Sequence, residues 1–301
     1  MAISRSQLLK ELLPGLNALF GLEYSKYGDE HAEIYETETS DRSFEEETKL
    51  SGFGAAPTKS EGGAIEYDNA QEAFTARYTH ETVAMGFAIT EEAIEDNLYD
   101  SLSARYTKAL ARAMAYTKQV KAASLLNGAF SGTTYGDGQT LCSTAHPLVS
   151  GGANSNRPTV GADLNETSLE AAVIQIGQWT DERGLKIATQ PKKLIIPSDL
   201  QFVATRLLET EGRVGTADND INALSNNGSV PGGYTVNHYL TEPNAWFLTT
   251  DIPNGMKHFV RAKMATSMDA DFDTGNSRYK ARERYSFGVS DPLGIFGSPG
   301  A

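Results

Sequence analysis

Cys142 and His146 stand four residues apart in the run Leu141-Cys-Ser-Thr-Ala-His-Pro147. A thiol becomes a nucleophile only when a nearby base takes its proton, and a turn could bring these two side chains together into a soluble hydrolase. The plainer reading is a small apolar cysteine and a loop histidine beside a proline, because catalytic Cys and His usually come from distant parts of a chain. Asp269, Asp271, Asp273 and Gly275 repeat the spacing that opens a calcium loop. Such a loop closes on a bidentate glutamate, and Lys280 occupies that place. A polar turn between strands is the better expectation. His31, His80, His146, His238 and His258 include no pair at the close spacing of two metal ligands on one helix or strand, so polar or capping roles are expected. The chain has no Gly-x-x-x-x-Gly-Lys-Ser/Thr, no Gly-x-Gly-x-x-Gly after a strand, no His-Glu-x-x-His and no Gly-x-Ser-x-Gly. Each of those motifs would carry a phosphate, dinucleotide, zinc or acyl-transfer site. No catalytic, cofactor-binding or metal-binding residue is assigned, and no enzyme activity is expected.

The totals agree with a structural role. A chain of 301 residues, 40% hydrophobic and 22% charged, can bury one large core or two moderate ones. A single cysteine excludes an internal disulfide and a thiolate zinc cluster. The formal charge of -13 runs against a surface built to grip a nucleic-acid backbone, because such affinity comes from neutralising phosphates with Lys and Arg. It is compatible with a protein that surrounds nucleic acid without holding it. No run approaches the roughly 20 apolar residues of a membrane span. The start, Met-Ala-Ile-Ser-Arg-Ser, lacks the apolar stretch of a signal peptide. Synthesis in the cytoplasm is expected.

The elements that would position these residues follow from spacing. Residues 4–24 read as an amphipathic helix interrupted at Pro14-Gly15. An acidic stretch, residues 29–47, follows and suits a basic partner surface. Residues 51–69 are glycine-rich with a turn at Gly62-Gly63, and Phe74 to Ile89 reads as strand. Together they predict a long hairpin that buries little of its own, so ordering it needs contacts from another subunit. Thr90 caps a predicted helix of about 36 residues, some 55 Å long. Its apolar stripe is Ile94, Leu98, Leu102, Tyr106, Leu110, Ala113, Thr117 and Val120, with Arg105, Lys108 and Arg112 on another face. Residues 131–159 are loop. A second helix is expected over 165–183 and closed by Gly184, then a strand between Pro191 and Pro197, then a helix capped by Ser198 or Asp199. Residues 212–233 are expected to be a mobile loop. The remainder predicts strands at 234–239, 245–249, 258–261 and 279–289, a turn at 273–276, and a turn-rich tail from Asp291.

In this order the segments resemble the major capsid protein of tailed bacteriophages, and within it the Mu-like major head subunit group. The likeness rests on Gly86-Phe-Ala-Ile-Thr-Glu-Glu-Ala-Ile-Glu-Asp96 and on Gly138-Gln-Thr-Leu-Cys-Ser-Thr-Ala-His-Pro147 with Asn154-Ser-Asn156. It rests further on Gln190-Pro-Lys-Lys-Leu-Ile-Ile-Pro197, Asn244-Ala-Trp-Phe-Leu248, Arg282-Glu-Arg284 and Gly297-Ser-Pro-Gly300. The resemblance implies an α+β fold of four parts. These are an N-terminal arm (1–48), an extended β-hairpin loop (49–85), a peripheral domain with a long spine helix (86–130 and 244–290), and an α/β axial domain (131–243 and 291–301). It implies a subunit that self-assembles into hexamers and pentamers of an icosahedral head enclosing double-stranded DNA, with a portal and a separate scaffolding or decoration protein as further partners. The expected location is the virion capsid, built in the host cytoplasm. An encapsulin-type compartment shares the fold and is the competing expectation. Relatives often carry a scaffolding segment of about a hundred residues before the arm, which is not expected here. Lys59 lies in the hairpin, but no residue match carries over the Lys-Asn crosslinks of some relatives.

Overall fold

The computed structural model describes residues 5–90, 92, 99–132, 134–212, 220–271 and 275–301. Helix α1 (Arg5–Tyr24) is one element running through Pro14, where an interruption was expected. A proline removes one backbone hydrogen bond, and the following turns are held by Leu16 and Phe20, buried against the second helix. A 3-10 turn (Glu30–Glu33) leads to β1 (Glu36–Thr39) and β2 (Phe44–Leu50). The strand expected over residues 74–89 is two strands, β3 (Glu72–Thr79) and β4 (Glu81–Ile89). They part at His80, whose buried ring bonds to Ser40 and Ser286.

Helix α2 (Tyr99–Asn127) has 29 residues. The start expected at Glu91 and the side chains of Ile94, Leu98 and Leu102 lie outside the described part. The buried face is Thr107, Leu110, Ala111, Met114, Ala115, Ala122, Ala123 and Leu126. Two positions of the expected stripe face solvent instead, Tyr106 at 49% and Val120 at 39% exposure. The helix is held close to both α1 and a sheet, and close approach favours small side chains over the most hydrophobic ones.

Among its described residues, the loop at 131–159 contains the short pair β5 (His146–Pro147) and β6 (Ala153–Asn154) and an isolated bridge between Thr134 and Thr140. Helix α3 (Glu166–Gly177) opens with a capping box between Asn165 and Ser168. It stops before the Gly184 expected to close it, and Gly184 instead takes φ 83° in the turn that follows Asp181. Strand β7 (Pro191–Ile196) precedes a 3-10 turn (Ser198–Leu200) and α4 (Gln201–Leu208). No side chain caps that entry, so the expected cap by Ser198 or Asp199 is replaced by the tighter turn. The segment expected as a mobile loop holds α5 (Ala223–Asn226), capped by Asn222, with Leu224 and Val230 buried. The final strands are β8 (Tyr234–Val236), β9 (Trp246–Thr250), β10 (Met256–Ala270), β11 (Ser277–Val289) and β12 (Ile295–Ser298). The tail opens with the expected turn, a 3-10 turn (Pro292–Gly294) capped by Asp291, and then runs as a fully buried strand, β12, where further turns were expected.

Two four-stranded sheets result, ordered β1-β10-β11-β4 and β12-β9-β7-β8, together with a separate β2-β3 ribbon. Strand β9 pairs with β7 and β12, so residues 246–250 are hydrogen-bonded into the α/β sheet, while Phe247 also packs with Leu126 of α2. Inward residues of β11, such as Tyr279 and Ala281, pack with Leu110, Met114 and α1. A second core joins Leu169 and Ile176 of α3 to β7, Trp246 and Phe296. A third bridges the layers through Leu126, Leu141, Cys142, Ile195, Phe247 and Val289.

Candidate assembly surfaces

The Cys142-His146 pair does not form a nucleophilic site. Cys142 lies in the bridging core with no exposure, and burial pushes its thiol far up from the ordinary cysteine range. Both ring nitrogens of His146 are already bound, Nδ1 to Asp137 at 2.5 Å and Nε2 to Asn156 Oδ1 at 3.0 Å. Asn156 donates from Nδ2 to the carbonyls of Leu141, Pro292 and Ile295 and accepts from Ser143 N–H. The cluster pins the loop over residues 131–159 to the buried tail. Burial opposes the charge on Asp137, but the bond to His146 and the backbone N–H donors outweigh it and hold the carboxyl below its ordinary value.

The calcium-like run lies in the β10-β11 connection. Asp271 pairs with Arg278, Asp269 accepts from the next backbone N–H, and Asp273 falls outside the described residues. Among the described residues no three His, Cys, Asp or Glu side chains form a metal-holding group. The fold does bring His31 and His258 together, with ring centroids 5.1 Å apart. Gln119 accepts from the His31 backbone N–H and donates from Nε2 to its Nδ1. That leaves Nδ1 as an acceptor, so the ring is neutral. Burial, then the charge of Lys118, depresses the basicity of both rings, that of His258 to about 3. His238 binds Glu30.

The polar chemistry of this subunit lies at the β2-β3 ribbon. Lys257 is 3% exposed, and its ammonium bridges Glu38 at 2.8 Å and Glu47 at 2.6 Å. Glu47 also accepts from Ser290, which accepts from Tyr78. Tyr78 in turn packs edge-on against Phe259. Gly288 makes room for this crossing, because a Cβ there would lie 2.4 Å from the Tyr78 ring. Lys49 bridges Glu182 at 3.0 Å and Asp291 at 2.9 Å. Asp68 makes a bidentate bond to Arg183 and accepts from Gly54 N–H. The acidic stretch is thus largely used within its own subunit. Glu30, Glu33, Glu38 and Glu47 take His238, Lys193 and Lys257. Sequence reasoning missed these partners because they lie 160 to 219 residues apart, and no local pattern in strand β10 marks Lys257 as the buried cation.

Beyond the clamps, the ribbon tip is bare. Phe53, Ile65 and Tyr67 are 61%, 66% and 90% exposed, and a turn closed from Gly63 N–H to Ser60 carbonyl shapes its end. Apolar side chains this exposed on a segment with little core of its own mark an interaction surface.

The fold matches the virus-like particle of Pyrococcus furiosus (TM-score 0.56, 11% identity, 96% of this chain and 99% of the other). It also matches the capsid of cyanophage P-SCSP1u (TM-score 0.57, 12% identity, 87% and 85%) and the capsid of the Myoviridae phage XM1 (TM-score 0.52, 10% identity, 89% of each). No curated protein matches the chain in sequence. A family model described as phage capsid protein covers residues 72–297, a span from the ribbon's second strand to the buried tail, and the chain therefore belongs to the phage capsid protein family as a structural subunit of a capsid.

Proposed function

We propose that this subunit assembles with copies of itself into the hexamers and pentamers of an icosahedral, tailed-phage head that encloses double-stranded DNA, and that it does so without enzymatic activity. The observation that carries the reading is the ribbon: its base is fixed by the buried Lys257 and the half-buried Lys49 while its apolar tip is left uncovered. In this map residues 1–48 are the arm, whose β1 adds to the edge of the peripheral sheet, 49–85 the extended loop, which runs into β4 of that sheet, α2 with β10 and β11 the peripheral domain, and the β12-β9-β7-β8 sheet with α3 to α5 the axial domain. Portal, scaffolding or decoration proteins would be further partners. Many modest contacts let misplaced subunits leave, and closed symmetry multiplies them into a stable shell.

The test is negative-stain microscopy of purified protein, with and without residues 51–68. The intact chain forms closed particles, and the deletion variant stays a folded, soluble subunit. Normal particles from the deletion variant would remove the loop from assembly. The likeness to a virus-like particle along nearly its whole length favours a non-viral compartment as the second reading. Particle diameter and contents, protein cargo or DNA, separate the two.

A further inference from the structure

Where the ribbon crosses the β1-β10-β11-β4 sheet, two arginines meet with no acid between them. Lys257 and Phe259 of β10 point to the crossed face, because they hold Glu47 and Tyr78 of the ribbon. Alternation along the strand puts Arg261 on that face as well. The register then slips. Val260 stands opposite Tyr285 and Ala262 opposite Arg284, so Arg261 is the extra residue of a bulge. A bulge re-aims the side chain it carries. Arg284 shares the face, because its neighbours Glu283 and Tyr285 are buried in the core while Ser286, two residues on, bonds to His80. Both arginines are half-buried, and the Nε of each is buried without a hydrogen-bond partner. Among the described residues neither guanidinium has an ion pair.

The corner above them supplies no charge in answer. Ser40 donates to Glu45 at 2.6 Å, so its oxygen accepts from His80 Nε2 at 2.9 Å. His80 Nδ1 then accepts from the Ser286 hydroxyl at 2.9 Å. The ring is neutral and fully used. Burial first, and with it the charges of Arg284 and Arg261, hold its basicity below the ordinary value against the pull of Glu45, so both guanidiniums lie near the ring. Glu45 is itself engaged, by Ser40 and by Arg42 at 4.0 Å. Buried N–H groups left unmatched on two neighbouring like charges are costly, and they call for an anion. Each guanidinium offers a planar fork that fits two oxygens. Two forks side by side can use more oxygens than a carboxylate has, which favours a tetrahedral oxyanion. The Nε atoms lie beneath the surface, which favours a small free ion over a broad partner.

We infer that Arg261 and Arg284 form a binding site for a small tetrahedral oxyanion of the phosphate class, seated between the bulge of β10, strand β11 and the His80 corner. Bound there, the ion cancels the repulsion between the two arginines and ties the bulge to the corner at which β3 and β4 part. The site belongs to the folded subunit and does not rest on the assembly reading.

Inorganic phosphate is the probe, added to the full chain in place of chloride at constant ionic strength. A site with a dissociation constant of about 1 mM raises Tm by about 3 °C at about 20 mM phosphate, and sulfate, of the same shape, does likewise. Isothermal titration calorimetry with phosphate should give about one ion per chain. Arg261→Gln and Arg284→Gln should each remove at least about two-thirds of the rise in Tm, whereas Lys280→Gln, farther along β11, keeps it. In chloride each glutamine variant should melt cooperatively and no lower than the wild type, since one of two neighbouring like charges is gone. Arg261→Lys and Arg284→Lys keep the charge but lose the fork, and should weaken phosphate binding at least about fivefold; they carry the test if a glutamine variant does not fold. An equal rise with chloride would mean screening alone, and a full rise in both arginine variants would place the ion elsewhere; either result overturns the inference. No phosphate effect in the wild type overturns it too, and particle loss in both arginine variants would then assign the pair to a carboxylate of a second copy.

Discussion

Replacing Lys257 by Met keeps the stem of the side chain and removes the ammonium that joins β1, β2 and β10. A buried ion pair broken on one side costs about 3–5 kcal/mol when the remaining charge is stranded. Here Glu38 and Glu47 are 48% and 26% exposed, so both can recover water, and about 2 kcal/mol is the expected loss. Spread over global unfolding, that is a small effect. An unfolding entropy of about 2.1 cal/mol/K per residue gives roughly 0.6 kcal/mol/K for this chain, hence a fall in Tm of about 3 °C. Locally it is large, because the ribbon has few other buried contacts apart from Tyr78 and Ser51. An opening free energy lowered by about 2 kcal/mol speeds amide exchange some 30-fold. Hydrogen exchange should therefore accelerate in residues 44–50 and 72–79 while β7 and β9 stay protected. Adding Glu47→Gln should give back part of the loss, since the stranded carboxylate is then neutral. Unchanged exchange in the ribbon, or equal acceleration throughout the molecule, would refute the idea that Lys257 fixes the ribbon's base.

Asn156→Ala leaves the carbonyls of Leu141, Pro292 and Ile295 without their donor, so about 3 kcal/mol and roughly 5 °C in Tm should be lost, measured by calorimetry. Cys142 should resist alkylation in native protein and react fully in denaturant, and Cys142→Ala should still form particles; rapid native labelling would mean that the bridging core opens. Stability should fall as pH drops below 6.5, because the unfolded state takes up protons that His31 and His258, held neutral by burial, refuse until a lower pH. The contribution of His258 is complete above pH 6.5 and fades toward its folded value of about 3, amounting to some 2 kcal/mol at pH 4.5. Glu283, held above its ordinary value by burial, works against it. His258→Gln should flatten the urea-midpoint slope between pH 6.5 and 4.5, and an unchanged slope would assign it to other groups.

What was legible in the sequence was local. The strand between Pro191 and Pro197 and the buried positions Leu169 and Ile176 follow from spacing and punctuation, and the structure has them in place. On α2, Leu110 is buried as its place in the stripe requires, while Tyr106 and Val120 are not, because periodicity ranks them as core on hydrophobicity alone, whereas a helix wedged between α1 and a sheet selects Ala111, Ala122 and Ala123. The tail at 295–298 read as turns because its glycines are small. Yet a Cβ on Gly297 would sit 2.7 Å from the Phe247 ring and 2.8 Å from Cys142 Sγ, so the glycine reports close packing. The clamps at Lys49 and Lys257 were out of reach because each joins segments distant in sequence, and no local pattern encodes which carboxylate meets which ammonium. Composition registers only the net excess of acid, a formal charge of -13.

That imbalance has an effect on assembly that opposes itself as salt is added. Subunits of charge -13 repel across tens of ångströms, a range screened once the Debye length falls from about 30 Å at 0.01 M to about 10 Å at 0.1 M. Ion pairs between subunits act over a few ångströms and survive that change, then weaken as the length shrinks to about 3 Å at 1 M. Particle yield should therefore rise from 0.01 M to a maximum in the low tenths molar and decline toward 1 M, read by light scattering at fixed protein concentration. A yield that climbs steadily to 1 M would mean that Phe53, Ile65 and Tyr67 carry the association by apolar burial, which salt does not weaken, and that ion pairs contribute little.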